Sequence, residues 1–180
     1  MSLLPTSQFT LTKSNEHLTV IFEPKEELYA KGDGNLETRV EFADYNNRGN
    51  LLELNKANDV STSYLWDHGG YFLVAEIKNA SIKNQETAYT SFETVNDNGW
   101  DVTSSARVNA SSVTGSKSYS LASGSIVLNG SLPLKSYYVT YWLKNESGSA
   151  SIGTSSGEIL ANKQGWKLMR HKFTNITQLP

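Results

Sequence analysis

The chain has 180 residues, with 16 Lys plus Arg against 18 Asp plus Glu and no cysteine. That length accommodates one large or two small domains with a real core. The near-zero charge leaves no electrostatic footprint for nucleic acid or an anionic membrane, and the lack of thiols removes disulfides and thiolate metal sites.

No apolar run approaches the roughly 20 residues that span a bilayer, so no membrane span is expected. The opening MSLLPTSQF has neither the basic start nor the long apolar stretch of a secretory signal. Ser, Thr, Asn, Gly and Tyr are abundant and there are four Trp, the vocabulary of strands and turns. The predicted class is all-β.

From about Leu18 to Ala80 the charges are dense. Short strand-like runs (LTVIFE, TRVEF, NLLEL, SYLW, YFLVAEI) alternate with the turn chemistry of KGDGN, NNRGN, KANDV and DHGG. PKEELYAK is read as one helical turn halted by Gly32 and Gly34. The polar, patternless NASIKNQETA is the join, which divides the chain into residues 1–83 and 84–180. Beyond it charge thins, and strands are predicted at AYTSFET, SARVNASSV, KSYSLA, SIVLN, KSYYVTYWLKN and GWKLMRHKFTN. In the long run, Tyr137, Val139, Tyr141 and Leu143 share one face and Tyr138, Thr140, Trp142 and Lys144 the other. The first set is the more apolar and is expected to face the core. Many short strands at this spacing read as a β-sandwich.

Asp67-His68, flanked by aromatics and followed by Gly69-Gly70, has the look of a reactive loop. A shift of 21 residues changes that reading: Tyr45-Asn46-Asn47-Arg48-Gly49 falls on Trp66-Asp67-His68-Gly69-Gly70, and Leu51-Leu52 on Phe72-Leu73. Such a period, one hairpin per unit, is a repeat signature. It makes Gly49 and Gly70 equivalent turn residues and His68 a solvated one.

DYNNRGNLLELN and TSYLWDHGGYFLVAEIKNA resemble the YD repeats of bacterial Rhs-type proteins: an aromatic, an Asp, two or three residues, then Gly and an apolar pair. Asn46 stands where that family has Asp, and His68 to Tyr71 where it has polar residues. The second half is similar to the sandwich modules that follow such arrays and to jelly-roll carbohydrate-binding modules. Tyr89 to Glu93, Gly99-Trp100, Tyr137 to Lys144 and Gly165-Trp166 carry that likeness. The resemblance implies antiparallel YD-repeat-like hairpins followed by a jelly-roll-like β-sandwich, in a cell-surface or secreted, extracellular setting. It also implies a final strand beyond Pro180. A module without that strand is expected to leave Trp166 to Phe173 bordering an open edge, able to self-associate, or covered by something external such as the first half or a second copy of the chain, with a bulge near Leu168-Met169.

Gly153-Thr154-Ser155-Ser156-Gly157 matches G-x-S-x-G, but the segment behind it is too short for the helix that a nucleophile elbow needs. A serine esterase is therefore the remote reading, to be revived by a His within hydrogen-bond reach of Ser155. Asn96 to Gly99 fails the EF-hand count. Glu93 sits where jelly-roll modules hold a structural calcium; no other cofactor is expected. His17, His68 and His171 have no metal-ligand spacing, and the five N-x-S/T sequons follow from composition. Trp100, Tyr138 and Trp142 are the candidate ligand platform, since sugar rings stack on exposed aromatics; the competing reading is that large aromatics belong to the core. The expected function is a non-enzymatic structural or interaction segment with a protein or glycan partner. The alternative is a carbohydrate-binding module in the second half.

Overall fold

The computed structural model describes residues 4–14, 17–95, 97–144 and 150–180, with side chains from Phe22 onward. Asn96, the Asn145 sequon and the His17 side chain lie outside the described residues. Among the described residues the fold is all-β apart from one 3-10 turn at Ser104–Ala106. It divides into two compact units, Met1–Thr87 and Ala88–Pro180.

The first unit is one antiparallel meander. Strands β1 (Leu4–Ser14), β2 (His17–Tyr29), β3 (Glu37–Tyr45), β4 (Leu51–Lys56), β5 (Thr62–Asp67) and β6 (Phe72–Lys78) lie side by side in chain order. PKEELYAK is not helical: Pro24 to Tyr29 continue β2, with Glu27 opposite Val40 and Leu28 opposite Thr38. A single isolated helical turn satisfies few backbone groups, whereas strands on both sides satisfy the whole ladder. Both hairpin turns fall where the 21-residue shift puts them. The Gly49 amide donates to Asn46 O at 2.9 Å and the Gly70 amide to Asp67 O at 3.1 Å. Both glycines have positive φ, +77° and +91°, which a β-branched residue adopts only under strain.

Among the described side chains of this unit, the buried ones are mostly polar. Glu53, Thr62, Ser63, Asp67 and Ser81 are buried beside Leu65 and Ala80. Ser81 Oγ donates to Glu53 Oε2 at 2.8 Å, and Ser63 Oγ to Ala80 O at 2.8 Å. The join therefore folds back: Ser81 N donates to Glu86 Oε2 at 2.7 Å, and Glu86 N to Ser81 O at 2.9 Å.

Among the described residues, the second unit holds three small sheets. β7 (Trp100–Val102) pairs with β10 (Ile126–Leu128), and β8 (Arg107–Val108) with β9 (Ser118–Tyr119). The third sheet runs β11 (Lys135–Lys144), β13 (Trp166–Ile176), β12 (Glu158–Lys163). AYTSFET is not a strand. Thr90 Oγ1 accepts the Phe92 amide, Ser91 Oγ accepts the Glu93 amide, and Phe92 sits at φ +65°. Short hydroxyl side chains here bond their own backbone in place of a ladder.

The open edge expected beside Trp166 to Phe173 is corrected over Trp166 to Arg170. There β13 is the central strand, paired with β11 on one side and β12 on the other, while from His171 onward its described strand partner is β11. The strand that closes it, β12, went unpredicted because EILANK has little alternation. Its signal is the turn that follows: Gln164 and Gly165 at φ +50° and +81° join Lys163 to Trp166 as a two-residue hairpin. The irregularity expected at Leu168-Met169 lies opposite it on β12, where the register skips Leu160.

Along β11 the alternation is as predicted. Tyr137, Val139, Tyr141 and Leu143 are half-buried, while Tyr138, Thr140 and Lys144 are exposed; Trp142 is half-buried. The inward face meets Met169 and His171 of β13, both buried.

Candidate functional site

The second unit brings together three side chains that no sequence spacing connects. Val139 and Tyr141 on β11 stand opposite His171 and Met169 on β13, and the loop carrying Ser155 folds over the imidazole. His171 Nδ1 lies 3.0 Å from Ser155 Oγ, and Nε2 lies 2.9 Å from the Tyr141 hydroxyl. The imidazole is wholly buried, and its ring stacks with Tyr141 and Phe173 at 5.6 and 6.3 Å between centroids. Burial pulls the His171 pKa below its ordinary 6.5 and pushes the Tyr141 phenol above its ordinary 10.0. A neutral imidazole has one donor and one acceptor, and a hydroxyl on each side serves either tautomer.

Gly157 completes the lid. A Cβ at this residue would lie 2.6 Å from His171 Nε2 and 2.7 Å from Cε1, and its φ is +67°. Only glycine fits there. Its amide donates to Ser155 Oγ at 3.3 Å, while Ile152 and Ser155 exchange backbone hydrogen bonds across the turn.

The condition set for a serine hydrolase, a His within reach of Ser155, is met in distance. The surroundings differ from those of an activated serine. General-base work needs an imidazole that accepts a proton and a group that stabilises the resulting cation. Here the second ring nitrogen faces a phenol, burial disfavours the cation, and Ser155 leads into strand β12 in place of a helix. The acid nearest in sequence, Glu158, is bound to Arg170 Nε at 2.6 Å. The arrangement is suited to holding the loop on the sheet.

Glu93 is a clamp of the same kind. Its Oε1 accepts the Ser116 and Lys117 amides at 2.7 Å each, its Oε2 accepts Ser116 Oγ at 2.7 Å, and its carbonyl accepts Lys117 Nζ at 3.0 Å. Burial works to raise its pKa, but the Lys117 and Ser116 hydrogen bonds prevail and hold the carboxyl below its ordinary 4.5. Among the described residues, no three His, Cys, Asp or Glu side chains group as metal ligands. Asp97, in the stretch weighed as a calcium loop, forms an ion pair with Arg107 and accepts Thr90 Oγ1 at 2.7 Å. The Asp97 and Arg107 side chains are 11% and 8% exposed. Sequence reasoning missed this pair, since ten residues and two turns separate its members.

The aromatic candidates are divided. Tyr138 and Trp142 lie on the outer face of β11, whereas Trp100 belongs to the β7–β10 pair. Tyr138 is 57% exposed, with the Arg170 guanidinium 5.6 Å and the Lys172 ammonium 5.8 Å from its ring centre.

In the first unit the two repeat turns touch. Arg48 Nε donates to Gly69 O at 2.5 Å, Asn50 Nδ2 to Gly70 O at 2.6 Å, and Arg48 lies 4.0 Å from the Tyr71 ring centre. The repeat aromatics each reach back to the preceding strand: Tyr45 OH donates to Pro24 O at 2.6 Å and Trp66 Nε1 to Leu51 O at 2.9 Å. Asp67 Oδ1 accepts the His68 amide at 2.6 Å, and the His68 side chain is 50% exposed. The pair that opened the question of catalysis is thus a turn. Set against known proteins, the chain matches no family model, no curated protein and no solved structure.

Proposed function

We propose that this chain is a non-enzymatic structural and interaction segment of a bacterial surface or secreted Rhs/YD-repeat protein. Its first unit is a stretch of hairpin array and its second a β-sandwich-like module. One observation carries the reading: two turns 21 residues apart close with the same backbone bond. Gly49 and Gly70 close equivalent turns, and Tyr45 and Trp66 each donate to a carbonyl of the preceding strand. A repeat unit of this kind buries little apolar surface alone and gains stability from its neighbours. The polar interior and the exposed Tyr71, Phe72, Leu73 and Val74 fit a sheet that is one layer of something larger.

The test is a duplication. A second copy of residues 46–66 inserted after Trp66 adds two turns and two strands in phase with the repeat. The expected product folds, with strand signal in circular dichroism increased and an unfolding midpoint no lower than that of the parent. A chain that loses its fold would rule out the repeat reading.

Carbohydrate binding by the second unit is the second reading, supported by the exposed Tyr138 ring among polar side chains. The hydrolase reading has the Ser155–His171 bond in its favour. An active-site-directed fluorophosphonate is expected to leave Ser155 unlabelled, and stoichiometric labelling would reinstate it.

A further inference from the structure

The outer face of the β11–β13–β12 sheet combines cations with aromatic rings in a way that neither clamp described above uses. Register fixes its members. Tyr138 stands opposite Lys172, Lys144 opposite Trp166, and Lys163 opposite Trp166 from the other side; Trp142 shares the Tyr138 face. Among the described residues of these three strands, Lys144, Lys163, Arg170 and Lys172 thus share this face with one carboxylate, Glu158, which Arg170 binds. Tyr138, Lys144, Lys163 and Lys172 are exposed, while Trp142 and Trp166 are half-buried.

We propose that this face binds an acidic polysaccharide, one whose sugars carry carboxylate or sulfate groups. The inference rests on the carbohydrate-binding reading and narrows it. A neutral sugar stacks on a bare ring face, but two cations share the Tyr138 ring, so a group approaching it meets positive charge. An anionic substituent beside Lys172 meets that ammonium and the guanidinium N–H groups of Arg170 other than the Nε–H bound to Glu158, while the C–H face of its sugar packs on the ring. Tyr138 and Trp142 are four residues apart on one strand, about 13 Å at the strand rise, so the face suits an oligosaccharide in preference to one ring. Single-stranded nucleic acid also pairs stacking with cations. The two ligand classes are separated by the oligonucleotide arm of the titration below.

The test is calorimetric titration of the full chain with a sulfated heparin-type oligosaccharide, an oligogalacturonate, a neutral xylo-oligosaccharide and a single-stranded oligonucleotide, at low and high salt. Binding of at least one acidic sugar is expected, weakening with salt. Lys172→Ala should lower the salt slope by about one, and Tyr138→Ala should weaken binding up to about tenfold. Unchanged unfolding midpoints for both variants would show that the fold is intact. Which acidic probe binds identifies carboxylate or sulfate as the group read. Binding confined to the neutral sugar and indifferent to salt overturns this inference and leaves the carbohydrate reading standing. No binding to any sugar overturns both. Equal or tighter binding of the oligonucleotide overturns the sugar assignment.

Discussion

Gly70 shows how a single backbone angle shapes a hairpin turn. At φ +91° its missing side chain leaves room for Arg48, Asn46 and Asn50, whose nearest atoms would each lie 3.1 Å from a Cβ. Gly70→Val adds strain at that angle to crowding against the neighbouring turn, and is expected to cost about 1–3 kcal/mol. Urea unfolding measures this, and a variant as stable as the parent would show that the turn tolerates another conformation. The glycine was legible in the sequence because a 21-residue shift superposes it on Gly49. The Arg48 and Asn50 bonds to Gly69 and Gly70 were not, since they depend on how neighbouring hairpins stack. Ser155 is the opposite case: its local motif suggested a nucleophile, and its partner His171, 16 residues on, arrives only through the pairing of β12 with β13.

At the scale of elements, strands with strong alternation were visible and those without it were not. KSYYVTYWLK became β11 with its apolar face inward because packing can bury only one face of that period. AYTSFET has the composition of a strand, yet Thr90 and Ser91 divert its amides. EILANK pairs through its backbone with every residue exposed, so no side-chain pattern marks it. The position of β13 follows from that pairing. From Trp166 to Arg170 it lies between β11 and β12, whereas among the described residues β12 pairs with β13 alone. Amide hydrogen exchange on the full chain should show Leu168 to Lys172 among the slowest groups, and the outward-pointing amides of Glu158 to Lys163 among the fastest. Equal protection of β12 and β13 would mean that a further strand covers β12.

For the molecule as a whole, stability is expected to fall in two steps with acid. His171 has its folded pKa below the ordinary 6.5, so unfolding takes up a proton there. Its contribution is intact above that value and is lost as pH falls through the lowered folded value. Glu93 is held below 4.5, so the contribution of its clamp is intact above that value and disappears as pH falls through its own lowered one. Unfolding midpoints taken near pH 8, 5.5 and 3.5, spanning the two windows of about 6.5 and 4.5 and below, should therefore decline twice. His171→Gln should flatten the upper step alone and Glu93→Gln the lower alone. A His171→Gln chain that keeps the upper step would place its origin in another group.

By itself the sequence determined the all-β class, the turns at Gly49 and Gly70, and the inward face of β11. Each is a local matter of φ, period or hydrogen-bonding type, decided within a few residues. Only the tertiary structure decided that β13 lies between two strands, that the Asp97 carboxylate meets Arg107, and that Tyr138 is bracketed by Arg170 and Lys172. The cause is strand pairing, which joins residues far apart in the chain through backbone groups that are the same at every position. Nothing in the side chains announces such a partner until the sheet has formed.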